Sequence, residues 1–465
     1  MTPLEFILIS FFAITAIGFL YFSIISWREK HQRAALMGAL LTFLPLILIL
    51  ISLISPPWLQ ISLLILMIIG LMTTIFLLTR PFTDRPIPSP PPNARVDERT
   101  IMFARARLQP GTPNYETYYS DHPEHLQLDT AFRKNPGLLA PGAVFYDPVL
   151  AAIAQGAFFE TESLREAVDG PVSDVEIKKS PGEFSSTVKY IARYLRALDV
   201  GICKLQPYHI YSHIGRGTGT YGAPITLNHQ FAIAFTVEMA LEMVQTAPKM
   251  PAVMESARQY VATAKIAVSL AAAIRELGYP AWAHIDGNYR VIAPLVAKDA
   301  GLGEIGRMGL LMTPRLGPRV RLGVVTTDLP LVVDPPTWNP AVIDFCNHCQ
   351  KCALVCPAQA LPFERRQSYQ DGTLRWRIDP EKCYTYWTQI GTDCGRCMAV
   401  CPYSHADKLL HNLIRFGVQR SANFRRAAIW MDDLFYGKKP KLHPFPKWVR
   451  DIQNNNSELK IFYMD

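Results

Sequence analysis

The residues most able to do chemistry are cysteines. Cys346, Cys349, Cys352, Cys356 and Pro357 follow the spacing C-x2-C-x2-C-x3-C-P, and a stretched copy comes after them: Cys383, then Cys394, Cys397, Cys401 and Pro402. Eight of the nine cysteines thus fall in two four-cysteine sets, the ligand count for two 4Fe–4S clusters. Three thiolates two residues apart wrap one cluster in a tight loop, and the fourth, ahead of proline, reaches the other cluster. The spacing therefore assigns Cys346, Cys349, Cys352 and Cys401 to one cluster and Cys356, Cys383, Cys394 and Cys397 to the second. The long gap between Cys383 and Cys394 departs from a simple bacterial ferredoxin. Structural zinc usually pairs two C-x2-C knuckles and needs neither the third cysteine nor the C-P ending. Disulfides do not suit a reducing compartment. Cys203, left over in the apolar stretch Val200–Leu205, reads as a small core residue.

The 465 residues suffice for two or three domains. Hydrophobic residues make up 49% of the chain, and mean hydropathy is positive, with the excess in the first eighty residues. Net charge is +8, but no Lys/Arg block interleaved with aromatics suggests a nucleic-acid surface.

Three uncharged apolar runs, Phe6–Trp27, Ala34–Ile54 and Ile61–Thr79, open the chain. Each has the roughly 20 residues that cross a ~30 Å hydrocarbon core. A cleaved signal peptide does not fit, because no basic n-region precedes the first run and two more follow it. The first loop carries Arg28, Lys30 and Arg33, the second (55–60) carries no charge, and Arg80, Arg85, Arg95 and Arg99 follow the third run. The positive-inside rule then makes this a multi-pass cell-membrane protein with its catalytic domain in the cytoplasm. No His, Asp, Glu, Lys or Arg lies within the runs, so they read as an anchor in membrane lipid rather than a redox module.

Residues 81–100, with six prolines between Pro81 and Pro92, read as a semi-extended spacer. Residues 101–335 alternate helical and strand-like patterns: helices over Ser185–Leu198 and Ser256–Leu277, strands over Val291–Ala293 and Arg321–Thr326. Glycine-rich stretches at 215–222 and 301–309 lack the context of a dinucleotide or phosphate loop and read as tight loops approaching a large cofactor. The expected division is an anchor (1–80), the spacer (81–100), a catalytic core (101–335), a two-cluster ferredoxin-like domain (336–412) and a C-terminal segment packing on the core (413–465).

Several motifs in order resemble the catalytic subunit of reductive dehalogenases. They are Gly301-Leu302-Gly303-Glu304-Ile305-Gly306-Arg307-Met308-Gly309, Thr313-Pro314, Gly317-Pro318-Arg319-Val320-Arg321-Leu322 and Thr326-Thr327-Asp328-Leu329-Pro330-Leu331. Glu255–Tyr260, Ile274–Tyr279 and Gly391–Cys394 extend the likeness over roughly residues 97–445. The resemblance implies an α/β nitroreductase-like core that holds base-off cobalamin, a corrinoid, with Gly301, Gly303, Gly306 and Thr313 at the cofactor. It also implies that the two-cluster domain feeds electrons to cobalt while halide leaves a small organohalide.

Carried over residue by residue, the resemblance puts the active-site tyrosine at Tyr260, a hydroxyl one helical turn earlier at Ser256, and a substrate-side amide at Asn288. The basic group that lowers the tyrosine's pKa falls on Arg319, with Arg307 and Arg321 as competing candidates. The aromatics Tyr208, Tyr211, Tyr221, Trp282, Trp376 and Trp387 could line an apolar pocket or be ordinary core. No fused reductase follows the clusters before Asp465, so a separate donor, a ferredoxin or flavodoxin, is expected.

Two other readings compete. An epoxyqueuosine-reductase-like enzyme would share corrinoid and clusters but act on tRNA. A membrane-tethered ferredoxin-type carrier would only relay electrons, yet over two hundred residues precede the clusters.

Overall fold

The computed structural model describes residues 2–79, 86–336 and 338–456. Arg80, the spacer residues 81–85 and the tail 457–465 lie outside them. The chain divides into two compact units: residues 1–85 with 407–441, and residues 86–406 with 442–465.

In the first unit the apolar runs form α1 (Pro3–Arg28), α2 (Gln32–Ile54) and α3 (Pro57–Thr79), each long and apolar enough to cross a membrane. Thr2 and Glu5 close a capping box on α1, satisfying amides that have no partner within the helix. α1 and α2 approach closely at Gly38, where an added Cβ would meet Phe22 at 2.8 Å and the Ser23 backbone at 3.1 Å. Ser23 donates to the Ala35 carbonyl at 2.8 Å across the same seam. The helices Leu409–Arg420 and Ala422–Phe435 belong to this unit. Just past α1, Glu29 pairs with Lys408 and His411, each at 3.0 Å. The segment 413–465 is therefore divided. Residues up to Lys441 join the three apolar helices, and Val449, Phe445 and Ile452 pack with Met250 and Val253 in the second unit.

The second unit is built on a four-stranded antiparallel sheet of β1 (Val200–Lys204), β2 (Phe231–Glu238), β3 (Ala281–His284) and β4 (Val320–Thr327), in spatial order β1-β2-β4-β3. Side chains alternate between its faces. Ile233, Phe235 and Val325 meet Ala264, Ala267, Leu270 and Ile274 of the long helix Met250–Glu276. Ala232, Ala234 and Val324 meet Val296 and Ala297 on the opposite face. The alanine run lets the helix lie close to the sheet, and truncating a buried leucine such as Leu270 would cost about 2–5 kcal/mol. Cys203 sits in β1, 4% exposed. Val291–Ala293 is not a strand: Val291 makes one isolated bridge to Ile210, and Ala293 begins a helix with Pro294 in its first turn.

The described part of the proline-rich stretch is held rather than free. Arg366 donates to the Ile87 carbonyl at 2.7 Å, the Leu374 amide donates to Ser89 Oγ at 2.8 Å, and the Asn93 amide donates to the Asp371 carbonyl at 2.9 Å.

Candidate active site

None of the nine cysteines is in a disulfide. Burial raises Cys401 well above the ordinary thiol range, and the neighbouring thiols of Cys346, Cys349 and Cys352 add to the rise. Burial does the same at Cys397, where Cys394, Cys352, Cys383 and Cys356 are the neighbours. At Cys394 the thiol is pushed up to about 12, by burial first and with Cys383 and Cys356 contributing. Two groups of buried and partly buried thiols, each drawing on both sequence motifs, thus lie side by side, and Cys352 also neighbours Cys397. Clustered soft donors of this kind suit iron–sulfur clusters. The chain around them is shaped for close approach: Gln350 and Cys394 take positive φ, and the Ala360 amide donates to Cys356 Sγ at 3.3 Å.

Beside the second thiol group is a cavity of about 320 Å³. Its wall includes Cys356, Cys383, Cys394 and Cys397 together with Ser256, Tyr260, Arg321 and Asp393. Most of the remaining lining is apolar, with Met102, Phe103, Leu310 and Trp387 among it. Of the six aromatics singled out in the sequence, Trp387 is the one among the described lining residues.

The long helix supplies Ser256 and Tyr260 from one face, one turn apart. β4 supplies Arg321, whose Cζ lies 4.9 Å from the centroid of the Tyr260 ring. Arg321 Nη2 donates to Ser256 Oγ at 2.6 Å and lies 3.3 Å from Asp393 Oδ2. Ser256 Oγ in turn donates to Asp393. Burial raises the Tyr260 phenol above its ordinary range, and the Arg321 charge pulls it back down. Arg321 Nε and Asp393 Oδ1 are buried with no hydrogen-bond partner. An unsatisfied donor and acceptor beside a largely apolar cavity fit a large cofactor with amide or carboxylate substituents on an apolar ring system.

Arg319, the expected partner of Tyr260, points elsewhere. It precedes β4, in a turn where its amide donates to the Leu316 carbonyl. Its guanidinium pairs with Glu238 at 2.6 Å and donates to the Ser404 and Met239 carbonyls. Arg307 also turns away, donating to the carbonyls of Cys346 (2.9 and 3.0 Å), Pro362 (2.7 Å) and Glu364 (2.8 Å). Its charge draws the Cys346 thiol down against the upward pull of burial. Asn288 is buried and occupied. Its Oδ1 accepts from the Thr218 amide at 3.4 Å and its Nδ2 donates to the Arg165 carbonyl at 2.9 Å. It is not among the described lining residues.

The glycine loop meets the thiols more than the cavity. A Cβ on Gly306 would sit 2.7 Å from the Met312 side chain, too close unless that side chain moved, and 3.6 Å from Cys346 Sγ, an ordinary contact distance. Gly301 follows the helix Ala293–Asp299, Gly303 backs onto the Met312 carbonyl, and Thr313 Oγ1 donates to the Gly317 carbonyl at 3.1 Å. The loop reaches the cavity through Met308 and Leu310. Sequence reasoning missed Glu98. Its fully buried carboxylate accepts from the Gly215 and Arg216 amides at 2.9 and 3.2 Å and anchors the other glycine-rich loop. No local pattern marks such a residue, because its partners lie over a hundred positions away.

Residues 345–405 match the 4Fe-4S dicluster domain family. The tetrachloroethene reductive dehalogenase of Sulfurospirillum multivorans is 32% identical over 293 residues, 56% of this chain and 58% of that protein. The chain thus spans a little over half the length of that relative. Among solved structures, the catabolic reductive dehalogenase NpRdhA in complex with 3-bromo-4-hydroxybenzoic acid aligns with a TM-score of 0.63 at 27% identity, over 77% of this chain and 49% of that one. A further reductive dehalogenase structure, described in terms of B12-dependent dehalogenation, aligns with a TM-score of 0.60 at the same identity, over 78% and 49%. An epoxyqueuosine reductase of Listeria monocytogenes is 30% identical over 124 residues, only 23% of this chain and 28% of that protein. The dicluster match falls within the second unit.

Proposed function

We propose that this homologue of the reductive dehalogenases removes halide from a small organohalide, with a corrinoid and two 4Fe–4S clusters as its redox groups. The observation that carries the reading is one cavity walled on one side by Cys356, Cys383, Cys394 and Cys397 and on another by Tyr260, Ser256 and Arg321. An electron relay needs no phenol–guanidinium pair beside its clusters. The likeness to epoxyqueuosine reductase is much shorter than that to the dehalogenases.

Cys346, Cys349, Cys352 and Cys401 would hold one cluster and Cys356, Cys383, Cys394 and Cys397 the other, an assignment supported by their mutual proximity. When bound, a corrinoid supplies low-valent cobalt for breaking a carbon–halogen bond, fed with single electrons from the clusters. Base-off binding of that corrinoid is carried over from the likeness to the dehalogenases.

Tyr260 holds a proton at Oη and gives it to the carbon that halide leaves. Burial keeps the phenol protonated at neutral pH, and the Arg321 charge stabilises the phenolate that transfer leaves behind. Ser256 and Asp393 fix the Arg321 fork in place. The apolar wall of Met102, Phe103, Leu310 and Trp387 limits the water that could compete for the proton.

The electron donor is read as a separate ferredoxin or flavodoxin. The first unit is read as the anchor in membrane lipid, with the catalytic unit on the cytoplasmic side; the basic first loop and uncharged second loop support this. Residues 101–335 are read as the catalytic core and 336–406 as the cluster domain, the expected end at 412 being cut back because residues 407–441 group with the first unit.

The test is anaerobic purification with corrinoid supplied, followed by metal analysis and a halide-release assay with a chemical reductant. About eight irons and one cobalt per chain, with halide release, are expected. Iron without cobalt would put the electron-relay reading in front. Cobalt with reduction of epoxyqueuosine in tRNA but no halide release would put the tRNA reading there.

A further inference from the structure

Away from the cavity, the corner between the helices Pro113–Asp121 and Pro123–Arg133 brings three ligand-bearing side chains together. His122 ends the first helix and caps the second. Pro123 takes the first helical position, and His125 stands three residues beyond His122, on the same face. The two imidazoles lie with centroids 5.5 Å apart and planes tilted by 27°. Glu124 Oε1 is 3.4 Å from His122 Nδ1 and 3.9 Å from His125 Nε2. One ligand atom from each residue lies within 4.8 Å of the others. Nitrogen and oxygen ligands about 2.0–2.2 Å from a tetrahedral metal stand roughly 3.3–3.5 Å apart. The His122–Glu124 pair already has this spacing, and a rotamer adjustment brings in the third ligand.

A second observation concerns the far side of His125. Its Nδ1 lies 2.7 Å from the hydroxyl of Tyr118, a residue only 1% exposed. Metal-bound histidines are typically held this way, with the non-ligating ring nitrogen hydrogen-bonded and the other freed for the metal. Here that leaves Nε2 directed toward Glu124. The positive end of the second helix opposes a cation, and the Glu124 carboxylate in its first turn offsets that.

We propose that His122, Glu124 and His125 bind a divalent transition metal, zinc foremost, with water completing the coordination. Imidazole and carboxylate together suit zinc more than the hard alkaline-earth ions. The metal would pin the corner from which the second helix runs to the cluster domain. Phe132 meets the Tyr384 ring at 5.2 Å, and Asn135 donates to Thr385 and Thr388, both at 3.1 Å. These partners lie on the helix Pro380–Ile390, which carries Cys383. The role is structural, and the inference does not depend on the dehalogenase reading.

The probe is zinc alone, added after a chelator wash to the full chain in detergent with both clusters loaded, so that the cluster thiols are occupied. Bound zinc is measured by mass spectrometry after gel filtration. One zinc per chain is expected in the unsubstituted protein and none in His122→Ala/His125→Ala at equal iron content. Tyr118→Phe keeps the ring packing and should weaken zinc affinity by about 10–100-fold. His122→Gln guards against misfolding of the double variant and should also lose the zinc. Equal zinc in the unsubstituted protein and in His122→Gln overturns the proposal.

Discussion

The guanidinium of Arg321 covers the ring of Tyr260 at 4.9 Å and donates to Ser256, one turn back along the same helix, at 2.6 Å. One arginine therefore sets both the charge felt by the phenol and the orientation of its neighbour. Tyr260→Phe removes the proton and leaves the ring's packing against Phe158. Halide release should fall about 10²–10⁴-fold, with iron and cobalt contents unchanged. A variant with full turnover would remove Tyr260 from the mechanism.

The same pair fixes a pH dependence. Burial raises the phenol and Arg321 lowers it. As a proton donor Tyr260 works below its pKa, so activity should fall on the alkaline side. Arg321→Gln removes the lowering charge, so the alkaline limb should move to higher pH while the maximal rate drops. A kcat/KM profile measured in both proteins decides it, because an arginine that served only to pack would leave the limb in place.

Arg319 should behave oppositely. It is 1% exposed and serves the Ser404 and Met239 carbonyls. Arg319→Met leaves buried acceptors unsatisfied at about 1–3 kcal/mol each. The expected result is a lower Tm and less folded protein, with near-normal turnover per loaded chain. A collapse of turnover at unchanged Tm would return Arg319 to the site.

These two arginines mark how far the sequence could be read. They lie two positions apart, and an uninterrupted strand would send both to one face. Only the turn that closes on the Arg319 amide separates them, and no local pattern announces it. The cysteine sets were legible because ligand spacing is a local property. So were the three long apolar helices, because a continuous apolar run needs no tertiary partner to be recognised. Val291–Ala293 misled because three apolar residues fit a strand and the start of a helix equally well. Asp393 and Glu98 matter through partners 72 to 137 positions away, beyond the reach of any periodicity.

The cysteine assignment predicts a graded loss of iron. Cys401→Ser and Cys383→Ser each remove one ligand from a different cluster, so each should lower iron from about eight toward about four per chain. Cys203→Ser should change nothing, since that thiol is buried in β1 with its Sγ 3.7 Å from the Val296 carbonyl. Full iron in either cluster variant would exclude that residue as a ligand.

The loop charges predict the topology. Arg28, Lys30 and Arg33 flank the α1–α2 connection, whereas the α2–α3 connection carries no charge. Basic loops stay in the cytoplasm because moving their charges across the bilayer is unfavourable. A cysteine placed at Ser55 should therefore react with a membrane-impermeant maleimide in intact cells, and one placed at His31 should react only after the cells are opened. The cluster thiols would lie on the protected side and add no background. The opposite pattern would turn the catalytic unit outward, and a cytoplasmic ferredoxin or flavodoxin could then no longer be its donor.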